Sequence, residues 1–420
     1  TYLQLFAGIE STAHLQRAWE LVQECCTDDA ATRARVGLSL VSAFNLVDRT
    51  GEAAAVLEAL QGQGLDESDR LRLGSAYVEG GWISYTSRNQ FERAVTLVER
   101  GVDLLKDVPG ALEIEGRGYA YLARLYQLNG EVSQSLRAAH RVLEIATGAG
   151  DRCGRAWGLA NLAAAYCEGG DLERAAKALD EAVTIARESE NDLTIGLCLA
   201  FQTKICVFQG DAEGALAAAD LAWKASESAG QVGGQYTAAM WRGHAYLLRD
   251  EPLRAAAEFD RLAVLDARWP STLEARARGQ LELGRPAGAV ELARACLEQN
   301  PPRLIRVRAL CTLGRAIAAS EPGTADQAEA ALSESVSLCD ALGLRPHLAE
   351  AHLALFEVCA QRGERDRALY FAKRAQEGFE ACGMRVHALR AAEQAARIGD
   401  TSGQSTFCDE TQGVVPRRPA

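Results

Sequence analysis

Apolar residues recur along this chain at helical spacing, and short polar or glycine-rich turns interrupt them at regular intervals. The stretch Asn161 to Glu188, NLAAAYCEGGDLERAAKALDEAVTIARE, shows the unit. Leu159, Leu162, Ala163 and Tyr166 form one apolar face at the helical period. Gly169, Gly170 and Asp171 stop that helix, because glycine accepts the left-handed exit that a side chain resists. Ala175, Leu179 and Ala182 form the apolar face of a second helix. The small Ala175 stands where two helix backbones cross closely. Neither helix can bury its face alone, so copies of the pair must stack.

The copies are regular. Aligned on the turn, the residues are Gly51, Asn89, Gly130, Gly170, Gly210, Asp250, Gly284, Gly323 and Gly363, in steps of 38, 41, 40, 40, 40, 34, 39 and 40. Five residues after each turn stand Val56, Ala94, Ser135, Ala175, Ala215, Ala255, Ala289, Ala328 and Ala368, all small or slim. Four residues before it stand Tyr85, Tyr126, Tyr166 and Tyr246, with Cys206 and Cys359 in the same slot. The reading is all-α: a right-handed α-solenoid of stacked antiparallel helix pairs. With 420 residues, one core would be unusual, and a solenoid avoids that limit because each repeat packs only on its neighbours.

Taken in order, residues 1–26 read as the remaining helix of a truncated leading repeat. Asp28 or Asp29 caps the next helix, which runs to about Arg49. About nine helical hairpins and a terminal cap helix, Val386 to Ile398, fill residues 27–399. Trp82 stands where other repeats carry Ala or Gly, so packing there must differ. Gln231 to Gly234 reads as a loose loop. Trp269-Pro270 and Asn300-Pro301-Pro302 bound a short seventh repeat, and a longer turn, Ser320 to Asp326, divides the eighth. Residues 400–420 turn polar and read as a disordered tail. The chain starts at Thr1, which suggests a piece of a longer protein.

Composition narrows the function. A net charge of -12 without a concentrated basic face disfavours nucleic acid. No apolar run is long enough to span a bilayer, and no signal segment opens the chain, so a cytoplasmic location is expected. None of the twelve cysteines forms a Cys-x-x-Cys pair. Cys167, Cys198, Cys296 and Cys311 fall within apolar helical patterns and read as buried thiols. Phosphate-loop, nucleophile-elbow and His-Glu-x-x-His motifs are absent, and the six histidines are scattered. No catalytic constellation, cofactor or metal is expected.

A binding surface has more to work with. Six residues before the turn stand Arg124, Lys204, His244 and Arg278, and nine before it stand Tyr121, Asn161, Phe201 and Trp241. A basic line beside an aromatic line on the first helices suits a protein or peptide ligand with acidic groups and an apolar anchor. The alternative is that the aromatics fill gaps between long helices and the cations are solvated. Under the groove reading, Arg124→Glu and Lys204→Glu weaken partner binding without unfolding the chain.

The pattern resembles the tetratricopeptide repeat, carried here by Leu162, Ala163, Tyr166, Ala175, Leu179 and Ala182 and again by Leu122, Ala123, Tyr126 and Ser135. Its period of about 40 exceeds the usual 34 by roughly 1.7 helical turns shared between two helices. Leu338 to Met384, LCDALGLRPHLAEAHLALFEVCAQRGERDRALYFAKRAQEGFEACGM, is similar to the C-terminal repeats of bacterial proteins that join a class III adenylate or guanylate cyclase domain, a signalling ATPase domain and a repeat array. Related arrays occur in ATPase-type transcription regulators. The resemblance implies a non-catalytic regulatory arm that acts on upstream domains of the same chain; a free-standing adaptor is the alternative.

Overall fold

In a computed structural model of the protein, the described residues are 9–25, 29–47, 49–62, 69–87, 89–267, 269–320 and 324–400. Among them the chain forms twenty helices and no strand. The first ten are α1 (Ile9–Cys25), α2 (Ala30–Leu46), α3 (Thr50–Gly62), α4 (Arg70–Thr86), α5 (Phe91–Leu105), α6 (Leu112–Leu128), α7 (Val132–Ala149), α8 (Arg152–Glu168), α9 (Leu172–Glu188) and α10 (Asp192–Gln209). The array continues with α11 (Ala212–Ser228), α12 (Val232–Leu248), α13 (Pro252–Asp266), α14 (Pro270–Glu282) and α15 (Pro286–Glu298). It closes with α16 (Arg303–Ser320), α17 (Ala325–Leu342), α18 (Arg345–Gln361), α19 (Arg365–Ala381) and α20 (Arg385–Asp400).

Each even-numbered helix from α2 to α18 pairs with the odd one that follows it, and the pairs stack in chain order. The protein is therefore a TPR-type α-solenoid. The even helices line the inside. They are apolar around most of their circumference because they meet their own partner, both neighbouring hairpins and the central space; α8 and α10 are buried along most of their length. The odd helices keep one solvated face, as the sequence of α9 shows with Leu172, Ala175, Leu179, Ala182 and Ala186 on its buried side.

The turns explain the period. Gly130, Gly170, Gly210, Gly284 and Gly363 have φ of +70 to +80°, and Asn89 and Asp250 take the same left-handed region at 51° and 59°. At Gly170, the Gly170 amide donates to Cys167 O at 3.1 Å and the Asp171 amide to Tyr166 O at 2.9 Å, the double bond that closes a helix through a left-handed residue. Asp171 then accepts from the Arg174 amide and caps α9. One Gly-Asp step thus ends one helix and starts the next. All nine slim residues five positions past the turn are buried, seven of them at 0% exposure.

Some boundaries differ from the sequence reading. Gly51 lies inside α3 rather than at a left-handed turn, and Gly323 lies outside the described residues. Gln231 to Gly234 is not a loose loop: Gln231 is the N-cap of α12, and the next three residues are helical. A Cβ on Gly234 would come within 2.2 Å of Ser226 Oγ, so the glycine lets α12 start tight against α11. Asp29, not Asp28, caps α2, accepting from the Thr32 amide. Asp326 is already helical in α17. Of the expected tail 400–420, Asp400 is still helical in α20, and 401–420 lie outside the described residues.

The superhelix closes on itself. Residues from 172 to 212 positions apart meet where one superhelical turn rests on the previous one. The Arg303 amide donates to Asn129 Oδ1 at 3.3 Å, and its guanidinium pairs with Glu131. Arg345 Nε donates to Gly169 O at 2.5 Å, and Trp269 Nε1 to Thr86 O at 3.4 Å. A Cβ on Gly170 would meet Cys382 Sγ at 2.5 Å, and one on Gly210 would meet Val386 Cβ at 2.5 Å. The hairpin turns of the first coil are therefore the seat for α16, α18 and α20 of the second.

Candidate functional site

Closure encloses a central cavity of about 170 Å³. A water needs ~10–15 Å³ of such space, so the room corresponds to on the order of ten waters: a short segment or a small molecule, not a folded domain. Its walls come from α4, α6, α8, α10, α12 and α16, with Asn45 of α2 and Trp269 just before α14.

Six of the residues singled out by the turn register meet here: Tyr121, Arg124, Asn161, Phe201, Lys204 and Trp241 all line the cavity. His244 and Arg278 are not among its lining residues. Trp82 stacks on Tyr121 with ring centroids 4.5 Å apart and planes at 10°, so the tryptophan that broke the repeat pattern becomes an aromatic wall. Trp241 carries two cations near its face, Lys204 Nζ at 5.4 Å and the Arg308 guanidinium at 5.6 Å.

The four basic positions do not act alike. Lys204 is buried and paired with Glu168, which also accepts from Gln127 Nε2 at 3.1 Å and meets His347 Nε2 at 2.9 Å. Burial alone would raise the Glu168 carboxyl; Lys204 and His347 outweigh it and hold the group well below the ordinary carboxylate range. Lys204 is thus committed to an internal clasp, and Lys204→Glu would bury two facing carboxylates, so it cannot test binding separately from folding. Burial and the nearby Arg308 and Arg278 hold His244 well below its usual value, so it is a neutral ring against Trp241 and Phe259. Arg278 pairs with Glu282 at 3.3 Å.

Arg124 is different. Among the described residues it forms no carboxylate pair. Its guanidinium donates to Gln127 Oε1 at 2.6 Å and lies 5.5 Å from the Phe201 ring centre. Burial pushes it below the usual arginine value, against the opposing fields of Tyr85, Glu168 and Tyr236. Among the described residues, the buried Asn45 Oδ1 and Gln231 Oε1 have no donor. The cavity therefore offers one uncommitted cation and aromatic walls.

The turn register did not reveal Trp157, Tyr236, Trp269 or Arg308, which also line the cavity. Arg308 pairs with Glu274 at 2.7 Å and stands fifteen residues before Gly323, farther up its helix than the two aligned positions. A second buried network, Glu79 with Ser42, Asn45 and Arg117, ties α2, α4 and α6 together at 2.6 to 2.7 Å. Among the described residues, no group of three or more His, Cys, Asp or Glu side chains is placed to hold a metal ion. Cys167, Cys198 and Cys311 are buried, and burial pushes each thiol up to about 12. No helix of the described residues is long and apolar enough to cross a membrane.

The family described as anaphase-promoting complex subunit 5 matches residues 120–208, the α6 to α10 region of most regular repeats. No curated protein matches the sequence. A Rap protein in complex with the competence and sporulation factor is similar, with a TM-score of 0.49 and 12% identity over 89% of this chain and 99% of that one. Yeast Tom70 gives a TM-score of 0.40 and 10% identity over 94% and 88%. A tetratricopeptide repeat protein from Parabacteroides merdae gives 0.33 and 12% over 76% and 99%.

Proposed function

We propose that this chain is a non-catalytic interaction module that holds a peptide segment of a partner inside its superhelix, through Arg124 and the aromatic wall of Trp82, Tyr121, Phe201 and Trp241. The observation that carries the reading is the uncommitted Arg124 guanidinium in a cavity where the neighbouring cations are already paired. An acidic group on the ligand would supply the charge partner that the fold withholds, as a charge-assisted hydrogen bond.

The Leu338 to Met384 motif supports placing the module as the regulatory arm of a larger cytoplasmic bacterial signalling protein of the cyclase or signalling-ATPase type. In that arrangement α1 belongs to a repeat shared with the upstream segment, and α2 to α20 form the superhelix with its cap. A cyclase or phosphate-loop ATPase segment in the reading frame upstream of Thr1 supports this arrangement; a start codon close to Thr1 favours a free adaptor instead.

Four of the six tryptophans, Trp82, Trp157, Trp241 and Trp269, line the cavity, so intrinsic fluorescence reports its occupancy. Acidic peptides with an aromatic or aliphatic residue are expected to change that fluorescence saturably. Arg124→Ala should weaken binding about tenfold or more, equivalent to losing one charge-assisted hydrogen bond of about 1.5–3 kcal/mol. Arg174→Ala, on the outer surface, should change nothing. Equal affinity for the wild type and Arg124→Ala would remove the lumen reading.

A further inference from the structure

A second cavity, of about 720 Å³, opens between the N-terminal halves of α6 and α8, with the end of α7 as its floor. Its floor is apolar: Val142, Ile145, Ala146 and Ala149. Gly116 keeps it open, since a Cβ there would come within 3.3 Å of Ile145 Cγ2. The charged side chains at its rim are already engaged: Arg117 with Glu79 and Glu113, and Arg152 with Glu188. Asp151 caps α8 through the Gly154 amide. What remains to be satisfied there is apolar surface.

This cavity lies beside the lumen. Ala120 and Trp157 line both. Along α6 the order is Gly116, Ala120, Arg124, so one helix face carries the apolar cavity, a residue that lines both cavities and the uncommitted cation, one turn apart from each other. Two turns of helix separate Gly116 from Arg124, about 12 Å at 1.5 Å per residue. Extended peptide covers about 3.3 Å per residue, so the same distance takes roughly four residues.

We propose that α6 works as a ruler: the two cavities form one site for an extended peptide that carries an acidic group at Arg124 and an apolar side chain, four residues away, in the Gly116 cavity. This specificity rests on the lumen reading above and adds a register to it. The occupant is a peptide because it presents both a carboxylate for Arg124 and, at a fixed distance along an extended backbone, an apolar side chain for the Gly116 cavity. A compact acidic metabolite would reach Arg124 but not the second cavity.

The test uses the full chain and a set of fluorescein-labelled peptides in which Glu and Phe are separated by one to six intervening residues, with the remainder Gly and Ser. Anisotropy titration should give the tightest binding with three intervening residues, about tenfold tighter than with one or six. Ala149→Trp, at an exposed position on the cavity floor, should weaken that best peptide about tenfold while leaving a Glu-only peptide unchanged. Gly116→Leu should do the same from the opposite wall, and circular dichroism confirms that each variant is folded. If affinity is independent of spacing, or if both filling variants bind the best peptide normally while Arg124→Ala still weakens it, the ruler is wrong and the lumen reading stands. If no peptide of the set binds, both fall.

Discussion

Glu168→Ala is expected to destabilise the array by about 3–5 kcal/mol, because it strands a buried ammonium rather than merely deleting a contact. Glu168 and Lys204 are each 3% exposed, and His347 comes to the same carboxylate from α18, 179 residues later. Loss of Glu168 therefore damages α8, α10 and the closure between successive coils together. Glu168→Leu combined with Lys204→Met should recover much of the loss, because an apolar pair of similar volume carries no desolvation penalty. Urea unfolding of the three proteins measures this. If Glu168→Ala unfolds at the wild-type midpoint, the clasp is not structural.

The same clasp gives a signed pH dependence. Burial alone would depress His347, but hydrogen bonds with Glu168 and Glu350 outweigh it and push the imidazole up to about 9 from an ordinary 6.5. A raised pKa stabilises the fold fully below 6.5 and loses that contribution as pH rises through 9. Glu168 and Glu350 are both lowered, so their contribution is present above 4.5 and fails on acidification. Closure is accordingly strongest between these limits and weakens by on the order of 3 kcal/mol toward alkaline pH. His347→Gln should flatten the slope between pH 6.5 and 9. Hydrogen exchange at the α8–α18 junction reads it locally, which matters because long repeat arrays need not unfold as one unit.

The second large effect is expected at Gly170. Gly170→Val places a β-branched residue at φ +77° and drives its Cβ toward Cys382, Arg345 and Pro346 of the next coil. Left-handed strain costs roughly 1–3 kcal/mol and overpacking a further ~1–3 kcal/mol. Gly363 has nearly the same φ, +73°, but no atom within 4 Å of its added Cβ, so Gly363→Val should show the strain alone. The difference between the two variants isolates coil-on-coil packing. Equal losses would mean that the coils do not rest on each other at this turn.

The contrast between Gly170 and Gly363 also shows where sequence reading stops. Both glycines are legible as turn residues, because the need for φ above zero is local and the Asp or Glu that follows each marks the next helix start. Only at Gly170 does another coil arrive. Arg124 and Lys204 likewise stand at the same register position, each six residues before its turn, and the alignment cannot tell them apart. Lys204 is consumed by Glu168, a residue whose burial depends on the next helix and on a coil 179 positions away. Among the described residues no carboxylate pairs with Arg124, so its charge is left without an internal partner. Trp82 was visible as a break in the pattern, but its role needed Tyr121 of the neighbouring helix to be placed against it.

By itself the sequence determined the helices, their turns, the pairing order and which face of each rod is apolar, because these follow from spacing within some forty residues. The tertiary structure alone decided that the coil closes after between four and five hairpins, which cations are spent on internal carboxylates and which is left facing the enclosed space. Those outcomes depend on small rotations accumulated from hairpin to hairpin. Such rotations are set by side-chain packing at every interface at once and leave no periodic mark in the chain.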